Sequence, residues 1–273
     1  MDFLFLNDII IIMIIFFVFI FGLLIGSFLN CVIYRLEKAE SFLKGRSYCP
    51  HCQHSLAWQD LIPIFSFLIL KGKCRYCQKR ISIQYPLVEL TTAIIFLLIF
   101  NFQLLTFNFQ NLINAIFLFV ISPFLIIIFV YDLKHYLIPD KITYPAIFIT
   151  FFYQLFKIWN MGNWEWFRIW NLFFSVLPAF FFLALIIFSK ETWMGWGDFK
   201  LAILLGLLLS WPNILVGLFL AFFFGAIIGI GLIILKKKQW KSEIPFGPFL
   251  VFGNFLALFW GEEIINWYLS LIL

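Results

Sequence analysis

Apolar residues run without a single charge over 9–29, 90–107, 112–130, 142–156, 171–189, 201–211, 214–235 and 248–260, and after Glu262 and Glu263 the apolar sequence continues toward 273. Polar and charged residues gather between these runs. A helix needs about 20 apolar residues to cross a bilayer, with a range near 17–25. Some runs reach that length alone, and others reach it with flanking residues. The pattern predicts an all-α polytopic membrane protein of about eight transmembrane helices. The run 201–211 is short, and the charges around it decide its place. If it did not cross, Lys236, Lys237, Lys238 and Lys241 would fall on the opposite side from the other basic loops.

Composition agrees with the pattern. The 273 residues are 64% hydrophobic and 12% charged, whereas soluble domains carry about a quarter charged residues. The 40 Phe suit lipid-facing helices. Of the 19 Lys and Arg residues, all but Lys157 and Arg168 fall in segments 30–89, 131–141, 190–200 and 236–247. Eight crossings put these four segments on one face. The positive-inside rule makes that face cytoplasmic and places both termini outside the cytoplasm. The basic excess is thus an orientation signal, the expected partner is membrane lipid, and no nucleic acid is expected. Asp2 and Asp8 precede the first run where a cleaved signal would be basic, so it reads as a retained helix. No internal repeat is visible beyond general Ile and Phe richness.

The only sizeable segment outside the membrane is about 31–86, and it holds all five cysteines. Cys49-Pro-His-Cys52 is followed, 21 residues on, by Cys74-Arg-Tyr-Cys77. Two such turns each present two sulfurs to one ion and together complete a tetrahedron. A closed four-sulfur zinc site is structural. Two disulfides are the alternative, disfavoured where thiols stay reduced. His51 or His54 replacing one thiolate is another. Cys31, at the end of the first helix, reads as a small apolar residue. A segment this small has little core of its own, so the metal would supply much of its folding free energy.

Between the cysteine pairs lies Leu61-Ile-Pro-Ile-Phe-Ser-Phe-Leu-Ile-Leu70. Ten residues cannot span a bilayer. The stretch is either interfacial or the apolar underside of the metal domain. Lys71, Lys73, Arg75, Lys79 and Arg80 would lie near anionic headgroups or form a solvated face. Glu89 follows Pro86 in the first turn of the next helix. It is either a carboxylate favoured by the helix dipole or a functional group.

The candidate chemistry lies at two helix boundaries. One is Tyr131-Asp132-Leu133-Lys134-His135, and the other is Met194-Gly195-Trp196-Gly197-Asp198-Phe199-Lys200. Two crossings separate Asp132 from Asp198, so both return to the same face. Two carboxylates held a few ångström apart cannot both ionise, and they share a proton. The ionised member can take a proton from water while the protonated member polarises a peptide carbonyl. Gly195 and Gly197 permit unusual backbone angles and the close approach of another chain. The plainer reading of Gly-Trp-Gly-Asp is a tight turn with Asp198 capping the next helix. Pro139-Asp140 reads as a helix start with Asp140 as its cap. Lys200 is either a boundary residue or a counter-charge to Asp198. His135 reads as a solvated side chain.

With these residues in place, the chain resembles the type IV prepilin peptidases, which are bifunctional leader peptidase/N-methyltransferases and aspartic proteases of the GxGD type. The resemblance covers almost the whole length. It rests on Gly26-Ser-Phe-Leu-Asn30 through Tyr34-Arg-Leu36, the paired cysteine turns, Tyr85-Pro-Leu-Val-Glu89, Asp132-Leu133 leading to Ile138-Pro-Asp140, Gly195-x-Gly-Asp198-x-Lys200, and Ile244-Pro-Phe-Gly-Pro248. Glu37, Gln84 and Leu61 depart from the usual pattern. The resemblance implies cleavage of prepilins or pseudopilins after a glycine at the cytoplasmic face of the bacterial inner membrane. N-methylation of the new terminus by S-adenosylmethionine then follows. It implies Asp132 and Asp198 as catalytic residues, Gly195, Gly197, Lys200 and Glu89 in support, and zinc on Cys49, Cys52, Cys74 and Cys77. The expected division is a first helix over 1–30, a zinc-binding, methyltransferase-associated domain over 31–89 and a peptidase body over 90–273.

Two other functions are weighed. A peptidase-only preflagellin-type relative would generally lack the long cysteine loop. A transporter with boundary aspartates would show acids near mid-membrane and paired repeats. A zinc metalloprotease would carry His-Glu-x-x-His, which is absent.

Overall fold

The computed structural model describes residues 2–41, 45–104, 108–160, 166–236 and 244–272. Lys44, Lys237, Lys238 and Lys241, which contribute to the charge asymmetry, lie outside the described residues. The described chain is helical, with two isolated β-bridges and no β-strand among the described residues. Its helices are α1 (Asp2–Glu37), α2 (Phe65–Ile69), α3 (Gln84–Leu104), α4 (Phe109–His135), α5 (Asp140–Asn160), α6 (Trp166–Ser189), α7 (Trp196–Leu209), α8 (Asn213–Ile234) and α9 (Gly247–Ile272). The eight long helices coincide with the eight apolar runs. Six of them, α1, α3, α4, α6, α8 and α9, are long and apolar enough to cross a membrane by themselves. The chain is a multi-pass membrane protein. It divides into two compact units, Met1–Ile127 and Ile128–Leu273.

In the first unit, α1 and α3 pack antiparallel along a stripe of small residues. A Cβ added at Gly22 would stand 2.6 Å from Ala93 Cα, and one at Gly26 would stand 2.6 Å from Glu89 Cα. One turn further, Asn30 Nδ2 donates to the Tyr85 carbonyl at 3.0 Å. Positions 22, 26 and 30 thus meet 93, 89 and 85. This is the small-xxx-small spacing by which membrane helices bring their backbones together. In the last turn of α1, buried Arg35 donates to the carbonyls of Ser41 (3.1 Å) and Arg46 (3.0 Å), fixing the chain's exit from the helix.

In the second unit, α7 is the central element. Leu201, Leu204, Leu205, Leu207, Leu208 and Leu209 are all buried, and α7 packs against α5, α6, α8 and α9. A helix apolar on every face belongs inside a helix cluster, which is why this run is uninterrupted. Its 14 residues reach about 21 Å at 1.5 Å per residue, short of the roughly 30 Å hydrocarbon core. At its C-terminus, Gln154 on α5 donates to the Leu207 carbonyl at 2.5 Å, satisfying a group the helix cannot. Gly206 sits on the Ser175 backbone of α6, and Gly253 of α9 sits on Gly217 and Ala221 of α8.

Candidate active site and metal centre

The first turn of α7 carries Asp198. Gly195 is its N-cap, with φ −93° and ψ 161°. The Asp198 carboxylate accepts the Gly195 N–H at 3.3 Å, and the Asp198 N–H donates to the Gly195 carbonyl at 3.1 Å. The stretch is a helix start, but the cap is Gly195 and not Asp198, which is the third residue and reaches back to the cap. Trp196 Nε1 donates to Glu191 Oε1 at 2.7 Å, which ties the turn to the residues before it.

Asp132 lies in the last turn of α4 and is 4% exposed. Tyr136, with φ 57°, ends that helix, and its N–H returns to the Asp132 carbonyl at 2.9 Å. The backbone N–H of Gly247, at the start of α9, donates to the Asp132 carboxylate, and Asp198 lies within electrostatic reach of it. Ile138 ties the three chain segments together. A Cβ added at Gly197 would stand 3.0 Å from Ile138 Cβ, and one at Gly247 would stand 3.3 Å from Ile138 Cδ1 and 2.5 Å from Asp132 Oδ2. The end of α4 and the starts of α7 and α9 thus bring Asp132, Asp198 and Gly247 together, with a backbone N–H on each carboxylate.

Three expectations change here. Neither Gly195 nor Gly197 has a positive φ, so unusual backbone angles do not account for them. Gly197 lacks a side chain because Ile138 occupies that space. A Cβ at Gly195 would meet no clash, its nearest neighbour being the Gly197 nitrogen at 3.9 Å. Asp140 is the first residue of α5, and its carboxylate accepts from Lys200 Nζ at 2.7 Å instead of serving as the cap. Lys200 also lies 5.1 Å above the Tyr144 ring. Lys200 is therefore paired to α5. Gly247 has no role in the sequence reading, although Gly between two prolines in Ile244-Pro-Phe-Gly-Pro248 marks a constrained position.

The four cysteines converge in the first unit. The sulfurs of Cys49, Cys52, Cys74 and Cys77 all lie within 4.8 Å of one another, with Cys49 and Cys77 Sγ 3.9 Å apart. Tetrahedral zinc with Zn–S near 2.3 Å puts its sulfurs about 3.8 Å apart, so the donor set fits. His51 and His54 are not members of the cluster, and the His54 ring lies on Tyr76 with centroids 3.7 Å apart. Burial pushes the Cys49 thiol up, but the N–H groups of Cys52 and His51 on its sulfur outweigh this and bring it to about 7. The His54 N–H lowers the Cys52 thiol, but burial and its bonds to the Cys49 and Cys77 sulfurs outweigh that and push it to about 11. Four crowded sulfurs cannot all be thiolates without a cation, and a bound cation releases their protons.

The cysteine turns are also an internal repeat, contrary to the sequence expectation. Cys49 N–H bonds to the His54 carbonyl and Cys74 N–H to that of Lys79; Gln53 and Gln78 N–H return to the Cys49 and Cys74 carbonyls; Leu56 pairs with Ser47 and Ile81 with Gly72. Bridges join Tyr48 to Ser55 and Lys73 to Arg80, and Gln53 and Gln78 both have positive φ. The shared Cys-x-x-Cys-Gln of 49–53 and 74–78 was the available signal. Asp60 joins the two turns, accepting from Arg75 Nε at 2.7 Å and from the Ala57 N–H at 3.2 Å.

Glu89, on α3, is not a member of the cysteine cluster. Its carboxylate accepts the Ile64 N–H at 2.7 Å.

Comparisons with known proteins bear on both sites. The sequence model of the bacterial peptidase A24 N-terminal domain matches residues 20–102. That of the type IV leader peptidase family matches 119–230. A protein of Aeromonas salmonicida named prepilin leader peptidase/N-methyltransferase is 34% identical, over 94% of this chain and 94% of its own. Proteins of the same name from Legionella pneumophila and Bacillus subtilis are each 32% identical, over 92% and 93% of this chain and 93% and 98% of theirs. No solved structure matched.

Proposed function

The chain belongs to the type IV leader peptidase family, and from that membership we propose that it cleaves the leaders of prepilins or pseudopilins with Asp132 and Asp198 and then N-methylates the new terminus. The observation that carries the catalytic assignment is the convergence of the two carboxylates, each on a helix boundary and each holding a backbone N–H. One ionised carboxylate takes a proton from water. The water oxygen attacks the scissile carbonyl, whose oxygen receives the proton of the other carboxyl group. The tetrahedral diol then collapses as the amine leaves with a proton, and the pair is again singly protonated. An unwound peptide would approach α7 at Gly195, where no side chain of the glycine intervenes.

The methyl donor expected from the family is S-adenosylmethionine, which supplies the methyl group. Residues 31–89 contain glycine only at 45 and 72, so no glycine-rich nucleotide loop is present, and no step of the cleavage uses the donor. We assign the second activity to residues 31–89 and peptide cleavage to 90–273. Zinc on Cys49, Cys52, Cys74 and Cys77 would close the module by joining its two turns. The Lys and Arg excess of the loops that carry the module and both aspartates supports the cytoplasmic side of the inner membrane for them, where a basic leader would meet an apolar helix. Incubation with a prepilin in detergent, with and without the methyl donor, read by mass, tests both halves. Loss of the leader in both samples and a methyl increment only with donor are expected. An intact prepilin in both would overturn the reading.

A further inference from the structure

The cysteine module carries an apolar surface that neither proposed activity uses. Trp58 is 72% exposed, Leu68 64% and Ile69 74%, and Phe65, Leu61 and Ile62 are exposed beside them. These residues are therefore not the buried underside of the module. Their backbone is held in an unusual way. Ile64 has φ 59° and ψ −49°, and the Phe65 N–H bonds to the Pro63 carbonyl at 2.5 Å. This is a γ-turn with positive φ at a β-branched residue, a strained conformation that persists only when its surroundings enforce it. The enforcing contact is the Ile64 N–H on the Glu89 carboxylate, 2.7 Å. Glu89 is itself buried, with Ser27 as a second hydrogen-bond partner.

That contact fixes depth. Glu89 is the sixth residue of α3, a helix long and apolar enough to cross a membrane, and so lies about 7–8 Å inside its start. Interfacial elements bury their apolar face about 5–10 Å into the boundary between headgroups and acyl chains. Ile83 and Leu87, at the same end of α3, are exposed and apolar as well. Lys71, Lys73, Arg75, Lys79 and Arg80 follow directly and are all exposed, as a surface facing anionic headgroups requires.

We propose that Trp58–Ile69 is an interfacial wedge seated in the anionic leaflet, with Glu89 as the positioning residue that latches its γ-turn at that depth. The occupant of the apolar surface is lipid. Glu89 then acts on the module and not on the reacting bond.

The test uses the full chain in phosphatidylglycerol/phosphatidylcholine vesicles whose acyl chains are brominated near the headgroup end. Tryptophan quenching of the wild type minus that of Trp58→Phe isolates Trp58. Strong lipid quenching with weak acrylamide quenching is expected. Glu89→Leu should lower the lipid component about twofold, while Glu89→Gln, which keeps an acceptor for the Ile64 N–H, retains it. Replacing the phosphatidylglycerol with phosphatidylcholine should weaken it too. If acrylamide reaches Trp58 and lipid bromine does not, the wedge is wrong. If neither quencher reaches Trp58, protein covers the surface, and the proposal is equally overturned. If Glu89→Leu leaves the wild-type pattern, the latch is overturned even where Glu89→Gln cannot be purified.

Discussion

Gly247 lies so close to Asp132 that a Cβ there would stand 2.5 Å from Asp132 Oδ2, at the same place where the Gly247 N–H donates to that carboxylate. The start of α9 therefore sets where the Asp132 side chain can be.

Gly247→Ala must push Asp132 or α9 away. A displacement near 1 Å costs about a hundredfold in rate where geometry decides catalysis. Leader cleavage by membrane-inserted Gly247→Ala should fall by about that factor. Gly195→Ala provides the contrast, because its Cβ would meet no clash. It should keep the wild-type melting temperature and change KM for the prepilin more than kcat. A Gly247→Ala enzyme with normal kcat would contradict the close approach.

Lys200 pairs with Asp140 across the starts of α7 and α5. A partly exposed pair of this kind contributes about 0–1 kcal/mol. Lys200→Ala and Asp140→Ala should each lower stability slightly, and the double variant should lose little more than either one. The measurement is thermal unfolding of all four proteins in detergent. Strict additivity would mean that the pair does not couple.

The repeat predicts that the two cysteine turns are equivalent. Cys49→Ser and Cys74→Ser should each lose bound zinc, and about one zinc per chain is expected in the wild type. Elemental analysis of purified protein decides this. Zinc retained by either variant would mean that the sulfurs do not act as one closed shell.

Asp60 gives the module a pH dependence of definite sign. Burial raises its carboxyl, but Arg75, the Ala57 N–H and Tyr76 outweigh this and hold it below the usual carboxylate range. The stabilisation is present above the ordinary carboxylate value and is lost as pH falls through the depressed one. Acid also protonates the thiolates, so the readout is a difference. Asp60→Asn should release zinc at a higher pH than the wild type. Identical release midpoints would remove Asp60 from the module's stability.

Much of the fold is legible in the sequence because membrane helices are written as uninterrupted apolar runs. The eight runs reappear as eight long helices. The short run 201–211 becomes α7, whose buried leucines explain its uniform apolarity. The four cysteines are legible because metal chemistry fixes their spacing. Contacts between residues distant along the chain, and those made through the backbone, are not legible. Asp140 follows a proline as a cap would, yet it faces Lys200, sixty positions away. Gly197 resembles a conformational glycine, but its contact is with Ile138. The repeat rests on backbone hydrogen bonds, with few identical side chains beyond the cysteines and Gln53/Gln78. Glu89 sits in a first turn as the dipole favours, while its partner is the Ile64 N–H.

One measurement bears most directly on the pairing of Asp132 with Asp198. Purified Asp132→Asn and Asp198→Asn proteins, each checked for membrane insertion, are incubated with a prepilin, and the leader is followed by mass. Each variant should lose cleavage by about three orders of magnitude or more, with the fold intact. Near-normal cleavage by either one would show that the two carboxylates do not act as a pair.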